Sequence, residues 1–224
     1  MASPKQPDER ERLLRVELAK RTVNVHVTKQ DNPEDDKNID DIHRAGKEIS
    51  RLIQEERLEQ ARESLAGELK KYPDELSFLN LQMALDILDR PDGGYSEAKK
   101  AGNDLIEHAI EQKSSYYIMA AITNLGLIAH NEGHDLFSKA MYLTAHHLDN
   151  NAVTPMRNLA GWYSRRGNLE SAQKWIDKII EARPDWIEDD GIVTFLKMDE
   201  SLHNLRDYEP FKQAVTAKIM EHGK

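Results

Sequence analysis

Residues 159–184 read LAGWYSRRGNLESAQKWIDKIIEARP, and the placement of small and bulky residues in this stretch decides the fold. Leu159, Ala160 and Tyr163 fall on one side of a helix, Gly167 supplies a turn, and Ala172, Ile176 and Ile179 fall on one side of a second helix that Pro184 closes. Two short helices packed against each other leave apolar surface that only a neighbouring pair can cover, so the stretch predicts repetition along the chain.

The same pattern recurs on both sides. Ala45, Ile49 and Leu52, then Ala61 and Leu65, form an equivalent pair ending at Pro73, with Glu68 as the one departure from the pattern. A second pair carries Leu85 and Ala98 in the corresponding places, with a turn lengthened around Pro91, Gly93 and Gly94. The third supplies Leu125, Gly126, Ala129 and Gly133, then Ser138, Tyr142 and Ala145. A fifth, divergent unit runs from Ile192 to about Met220, with Phe195, Met198 and Leu202 before the turn LRDYEP and Phe211 and Val215 after it, as expected of a terminal repeat. The anchors Ala61, Ala98, Ser138, Ala172 and Phe211 are 37, 40, 34 and 39 residues apart. These intervals surround a module of about 34 residues with loop insertions, which predicts ten helices in five antiparallel pairs.

Over roughly residues 41–220 this pattern resembles the tetratricopeptide repeat family, most closely in the first and fourth units. The resemblance implies an all-α, right-handed superhelix of about five antiparallel helix pairs, with a concave groove lined by the first helix of each pair and used to hold a peptide or a partner's helix. A different α-solenoid with longer units would keep most of the helices and change which face is concave. In the family register, the inward-facing side chains are Lys47 in the first unit, Asn80 and Met83 in the second, Asn124 and His130 in the third, and Arg157, Asn158 and Arg165 in the fourth. Amide and guanidinium groups of this kind suit a peptide main chain or a carboxylate. Chaperone-binding members of the family grip a terminal carboxylate with Lys, Asn and Arg on three consecutive first helices. Asn124 occupies a clamp-like position, but Ser50 replaces the first-repeat Asn, and Thr154 and Asn158 replace the Lys and Arg of the next repeat. The full clamp is therefore absent.

Composition narrows the function classes. The 224 residues are 32% charged and 39% hydrophobic, with a net charge of -9, so no broad cationic surface is available to exchange for phosphate counterions and nucleic acid is not expected as a ligand. The absence of cysteine excludes a thiolate ligand or nucleophile and fits a cytoplasmic location. The leading residues have no apolar core resembling a signal peptide, and no window reaches the ~18 apolar residues of a membrane span. Residues 1–40 differ from the rest and are expected to form a charged arm and linker ahead of a repeat domain at 41–224. Residues 5–21 suit one short amphipathic helix around Leu13, Leu14, Val16 and Leu18. Val23, Val25 and Val27 alternate as in an extended segment, and QDNPEDDKNIDD reads as an acidic hinge.

Catalytic constellations are missing. His130 and His134 have i, i+4 spacing with Asp135 nearby, but Gly133 intervenes and HNEGH is not the HExxH of a zinc protease. Glu188, Asp189 and Asp190 read as helix-capping and solubilising residues, and the GG of PDGGYSE lacks the Lys and Ser or Thr of a nucleotide loop. No catalytic residue, metal or cofactor is expected. Trp162, Trp175 and Trp186 cluster in or just after the fourth unit, with Trp162 a candidate exposed anchor and helix-pair core packing the expectation for at least two of the three. The expectation is a noncatalytic adaptor or assembly factor that binds a protein or peptide segment. The alternative is a structural or regulatory subunit acting through its amino-terminal arm and through self-association.

Overall fold

The computed structural model describes residues 33–90, 94–183 and 200–222, and every one of its regular elements is helical. The elements are α1 (Pro33–Gln54), α2 (Leu58–Lys71), α3 (Leu76–Asp89), α4 (Ser96–Glu111), α5 (Ser115–Asn131), α6 (Asp135–Leu148), α7 (Val153–Arg165), α8 (Leu169–Ala182), a 3-10 turn (Glu200–Leu202), α9 (His203–Arg206) and α10 (Glu209–His222). The readings of the arm helix at 5–21, of Val23–Val27, of the turn at Pro91 and Gly93, and of Pro184, Trp186, Glu188–Asp190, Ile192, Phe195 and Met198 lie outside the described residues, as does the side chain of Val215. The acidic stretch expected to be a hinge is corrected from Pro33 onward. It is the start of α1, with proline at the first helical position, where its missing N–H and fixed φ carry no penalty.

The chain divides into two compact units, Met1–Gly133 and His134–Lys224. In the first unit each helix packs on the next, and α3 also touches α1 and α5. This contact between alternate helices is the stacking of one pair on another that a repeat array requires. Two apolar clusters result. One joins Ile49, Leu52 and Ile53 to Ala61, Leu65, Phe78 and Leu85, and the other joins Met83 and Ile87 to Ala98, Leu105, Tyr117 and Ile128. With neighbours on several sides, α3 (LSFLNLQMALDILD) buries eleven of its fourteen residues, the polar Ser77, Asn80 and Asp86 among them.

The second unit repeats the scheme. α6 packs on α7, α7 on α8, and the 3-10 turn and α9 return against α7. Met156, Ala160, Ala172, Ile176, Ile179, Leu202, Leu205 and Phe211 form its core. Gly161 permits a close approach here, because a Cβ at that position would lie 2.8 Å from Ser201 Cβ.

The turns carry the repeat register in their backbone. Glu56, Gly133 and Gly167 each stand five residues before an anchor, Ala61, Ser138 and Ala172, and all three have positive φ, at 59°, 83° and 72°. The left-handed conformation ends one helix and reverses the chain. Two units place glycine there and the first places glutamate, which adopts the conformation at a cost of about 1 kcal/mol. Asn168 then caps α8 by accepting from Ser171 N–H at 3.1 Å, and Glu75 caps α3 by accepting from Ser77 N–H at 3.1 Å.

Candidate functional site

The residues expected to line a groove do not share one environment. In the first unit Lys47 is exposed on α1, on a face it shares with His43, Arg44, Glu48 and Arg51. Arg51 there pairs with Glu48 and Glu55, exchanges between solvated groups that contribute little to stability. Asn80, Met83 and Asn124 are interior residues, at 3%, 0% and 5% exposure. Their expected access to a partner is corrected by the packing of α3 and α5, in which Met83 lies against the glycine of α4: a Cβ at Gly102 would sit 2.7 Å from Met83 Cε. His130 is part-exposed in the last turn of α5.

Ser50, which replaces the clamp Asn, is buried and donates to the Gly46 carbonyl of its own helix at 2.6 Å. Asp86 is the one buried carboxylate among the described residues of the first unit. It accepts from Arg62 Nη1 at 2.9 Å and from Gln82 Nε2 at 3.0 Å, while the other end of the Arg62 guanidinium reaches Asp89 at 2.9 Å. These contacts tie α2 to α3 and leave Asp86 with partners inside the unit.

In the second unit Arg157 and Asn158 are half-buried on α7 and Arg165 is exposed at its end, on a helix without an acidic residue. Trp162, the candidate exposed anchor, is 6% exposed and falls among the tryptophans packed in the helix pairs. Its Nε1–H donates to the Asp135 carbonyl at 2.9 Å. The Arg166 guanidinium stands 3.8 Å from the Trp162 ring centroid and Lys139 Nζ 4.8 Å from it, while Lys139 also stands 4.7 Å from the Tyr163 ring. Arg166 further pairs with the Asp135 carboxylate. Trp162 therefore fastens the start of α6 to the end of α7 through a hydrogen bond and cation–π contacts. Trp175 is part-buried and meets His146 edge-on at 4.9 Å. Burial, reinforced by Lys178 and His147, holds the His146 pKa below the ordinary imidazole value. The phenol of Tyr142, the packing residue of α6, is pushed up to about 12, mainly by burial.

A surface that the repeat pattern leaves unread lies on α6. Opposite its packing residues Ser138, Tyr142 and Ala145, the helix exposes Leu136 at 78%, Phe137 at 59%, Leu143 at 40% and Leu148 at 43%, with Ala140 and Thr144 between them. These positions form one continuous stripe at helical spacing, which a wheel drawn on DLFSKAMYLTAHHL makes visible once its packing side is set aside.

Among the described residues no group of three or more His, Asp or Glu side chains is placed to hold a metal ion, and no helix is long and apolar enough to cross a membrane. His130 and His134 stand on either side of the left-handed turn at Gly133, one in the last turn of α5 and the other before the first residue of α6. In comparison with known proteins, no family model and no curated protein matches the chain.

Proposed function

We propose that this protein is a noncatalytic interaction scaffold, a divergent tetratricopeptide-like array that holds a helical or extended segment of another protein. The observation that carries this reading is a surface contrast within the second unit. α7 offers Arg157, Asn158 and Arg165 with no acid on the helix, and α6 offers an apolar stripe, in a chain whose net charge is -9. Helical repeats supply extended surface of this kind, and the core of each unit is filled by the side chains that hold its pairs together. Of the groove residues inferred from the repeat register, Lys47 and Arg165 are exposed and His130, Arg157 and Asn158 are part-exposed, which supports the reading.

A displayed library of short peptides, selected on the full chain, tests the reading. Peptides that bind reproducibly and with one-to-one stoichiometry are the expected result. Loss of binding in the Arg157→Ala, Asn158→Ala double variant would assign recognition to α7. Failure to recover any peptide would contradict the reading, as would a protein whose only associations are abolished by deleting residues 1–30. The latter result would favour a subunit acting through its arm.

A further inference from the structure

We infer that the exposed face of α6 is a docking site for an acidic amphipathic helix of a partner protein, an inference that rests on the scaffold reading and names the class of partner. The face is mainly apolar, with His147 one turn after Leu143 and the Thr144 hydroxyl turned back onto the Ala140 carbonyl of its own helix. Leu136, Ala140, Leu143 and Thr144 follow one another at i, i+4, i+7 and i+8, with Phe137 and Leu148 along one edge, and none of these is charged. Anchors at this spacing are what one helix presents to another. Elsewhere among the described residues, Ile110 is the one other large apolar side chain with comparable exposure, and it stands on α4 in the first unit. The patch on α6 is thus a concentration of apolar surface, which monomeric proteins rarely leave without a role.

Charge selects the occupant. Beside the stripe itself α6 carries Lys139 and no acid after Asp135, whose carboxylate is paired with Arg166. After Asp135, the only ionisable groups on α6 besides Tyr142 are Lys139, His146 and His147. Lys139 borders the Leu136 and Leu143 edge of the stripe and is held in place over the Trp162 and Tyr163 rings. A helix with an apolar face flanked by Asp and Glu meets this arrangement with complementary sign. A second copy of the same face would instead bring another Lys139 to the stripe edge and no acid after Asp135 to meet it. Area points the same way. Four side chains exposed to this degree offer on the order of 400–450 Å², about half of the ~800 Å² that each member of a stable pair buries. That footprint suits one helix of three to four turns engaged transiently.

The test is a selection from a library of 14-residue helix-forming peptides displayed against the full-length protein, followed by affinity measurements on Leu136→Asp and Phe137→Asp. Both positions are exposed, so circular dichroism should show each variant folded. The recovered peptides should carry apolar residues at i, i+3, i+4 and i+7 with more Asp and Glu than the starting library. Their affinity should fall by about tenfold or more on either variant, the loss expected when an apolar anchor is replaced by a charge. A copy of the best peptide with its acidic residues changed to Lys should bind at least about tenfold more weakly, and rising salt should weaken the parent peptide. Peptides indifferent to both variants overturn the inference, and if those peptides respond to the Arg157→Ala, Asn158→Ala variant the scaffold reading stands without it. Equal binding of the Lys-substituted peptide overturns it as well. A dimer in sedimentation that Leu136→Asp dissolves would give the face to a second copy and also overturn it, while recovery of no helix-forming peptide overturns the inference and leaves the scaffold reading to the unrestricted peptide library.

Discussion

The two units handle polarity in opposite ways. The first takes polar groups inside: Ser77, Asn80, Asp86, Thr123 and Asn124 are all buried there. Among the described residues of the second, the buried polar ones are the small hydroxyls Ser138 and Ser164, and the large apolar side chains Leu136, Phe137, Leu143 and Leu148 are left outside. Polar interiors must be matched group by group, since an unmatched buried carboxylate or amide costs more than its hydrogen bond contributes. Apolar exteriors cost nothing in matching and favour whatever covers them. The contrast teaches that exposure, and not residue type, separates the parts of a repeat array that hold it together from those available to others.

The largest effect expected from breaking this contrast is at Arg62. Arg62→Ala leaves Asp86 inside the first unit with Gln82 as its remaining partner. Loss of about 2–3 kcal/mol in urea denaturation is expected, below the full range for a broken buried pair because the Arg62 side chain is itself 31% exposed. Adding Asp86→Asn should restore part of the loss, since the neutral amide removes the stranded charge.

Two glycines sharpen the comparison at the next level. At Gly161 the added methyl meets Ser201 Cβ, a short side chain whose backbone must move, and Gly161→Ala should cost about 1–3 kcal/mol. At Gly102 the methyl meets the mobile end of Met83, with Leu125 Cδ2 at 3.1 Å, and the gain in helix propensity of up to about 1 kcal/mol offsets much of the crowding. Thermal unfolding of the two variants should show Gly102→Ala as the milder.

The repeated left-handed turn gives a smaller pair of effects with opposite signs. Gly167→Ala should destabilise by about 1 kcal/mol, while Glu56→Gly should leave stability unchanged or raise it by a few tenths of a kcal/mol, because the glycine relieves the positive φ but adds freedom to the unfolded chain.

The smallest effects are pH-dependent and run in opposite directions. The Nδ1 contact of His108 with the Asp104 carbonyl, at 2.8 Å, raises its pKa, with Asp74 and Glu111 adding to the shift. Its contribution is therefore complete below the unfolded value near 6.5 and is lost as pH rises through the folded value. His146 is lowered by burial with Lys178 and His147, against the pull of Asp149. Its contribution is present above the unfolded value and is lost as pH falls through the folded one. Proton NMR titration of the two imidazoles should place His108 above His146.

The repeat register was legible in the sequence because sterics fix it. Only small residues fit where helices cross closely, and Ala61, Ser138 and Ala172 are each fully buried. The candidate surface was less legible. A position that faces away from its own pair in an isolated unit is covered once the next pair stacks on it, and α3, touching α1, α2, α4 and α5, hides Asn80 and Met83 in this way. Trp162 is covered for a related reason, since an indole beside a packing position finds its partners on the neighbouring helix, here Asp135 and Lys139. The α6 stripe was present in the letters, but the pattern used to find the repeats weighs only the residues that pack.

The most direct test of the account measures two quantities on one variant, Phe137→Asp: its urea midpoint and its affinity for a selected acidic helical peptide. The account predicts a stability change within about 0.5 kcal/mol, as for an exposed site, together with at least about a tenfold loss of affinity. A lowered midpoint with affinity intact would contradict it, because Phe137 would then belong to the structure of the second unit and not to the surface it offers.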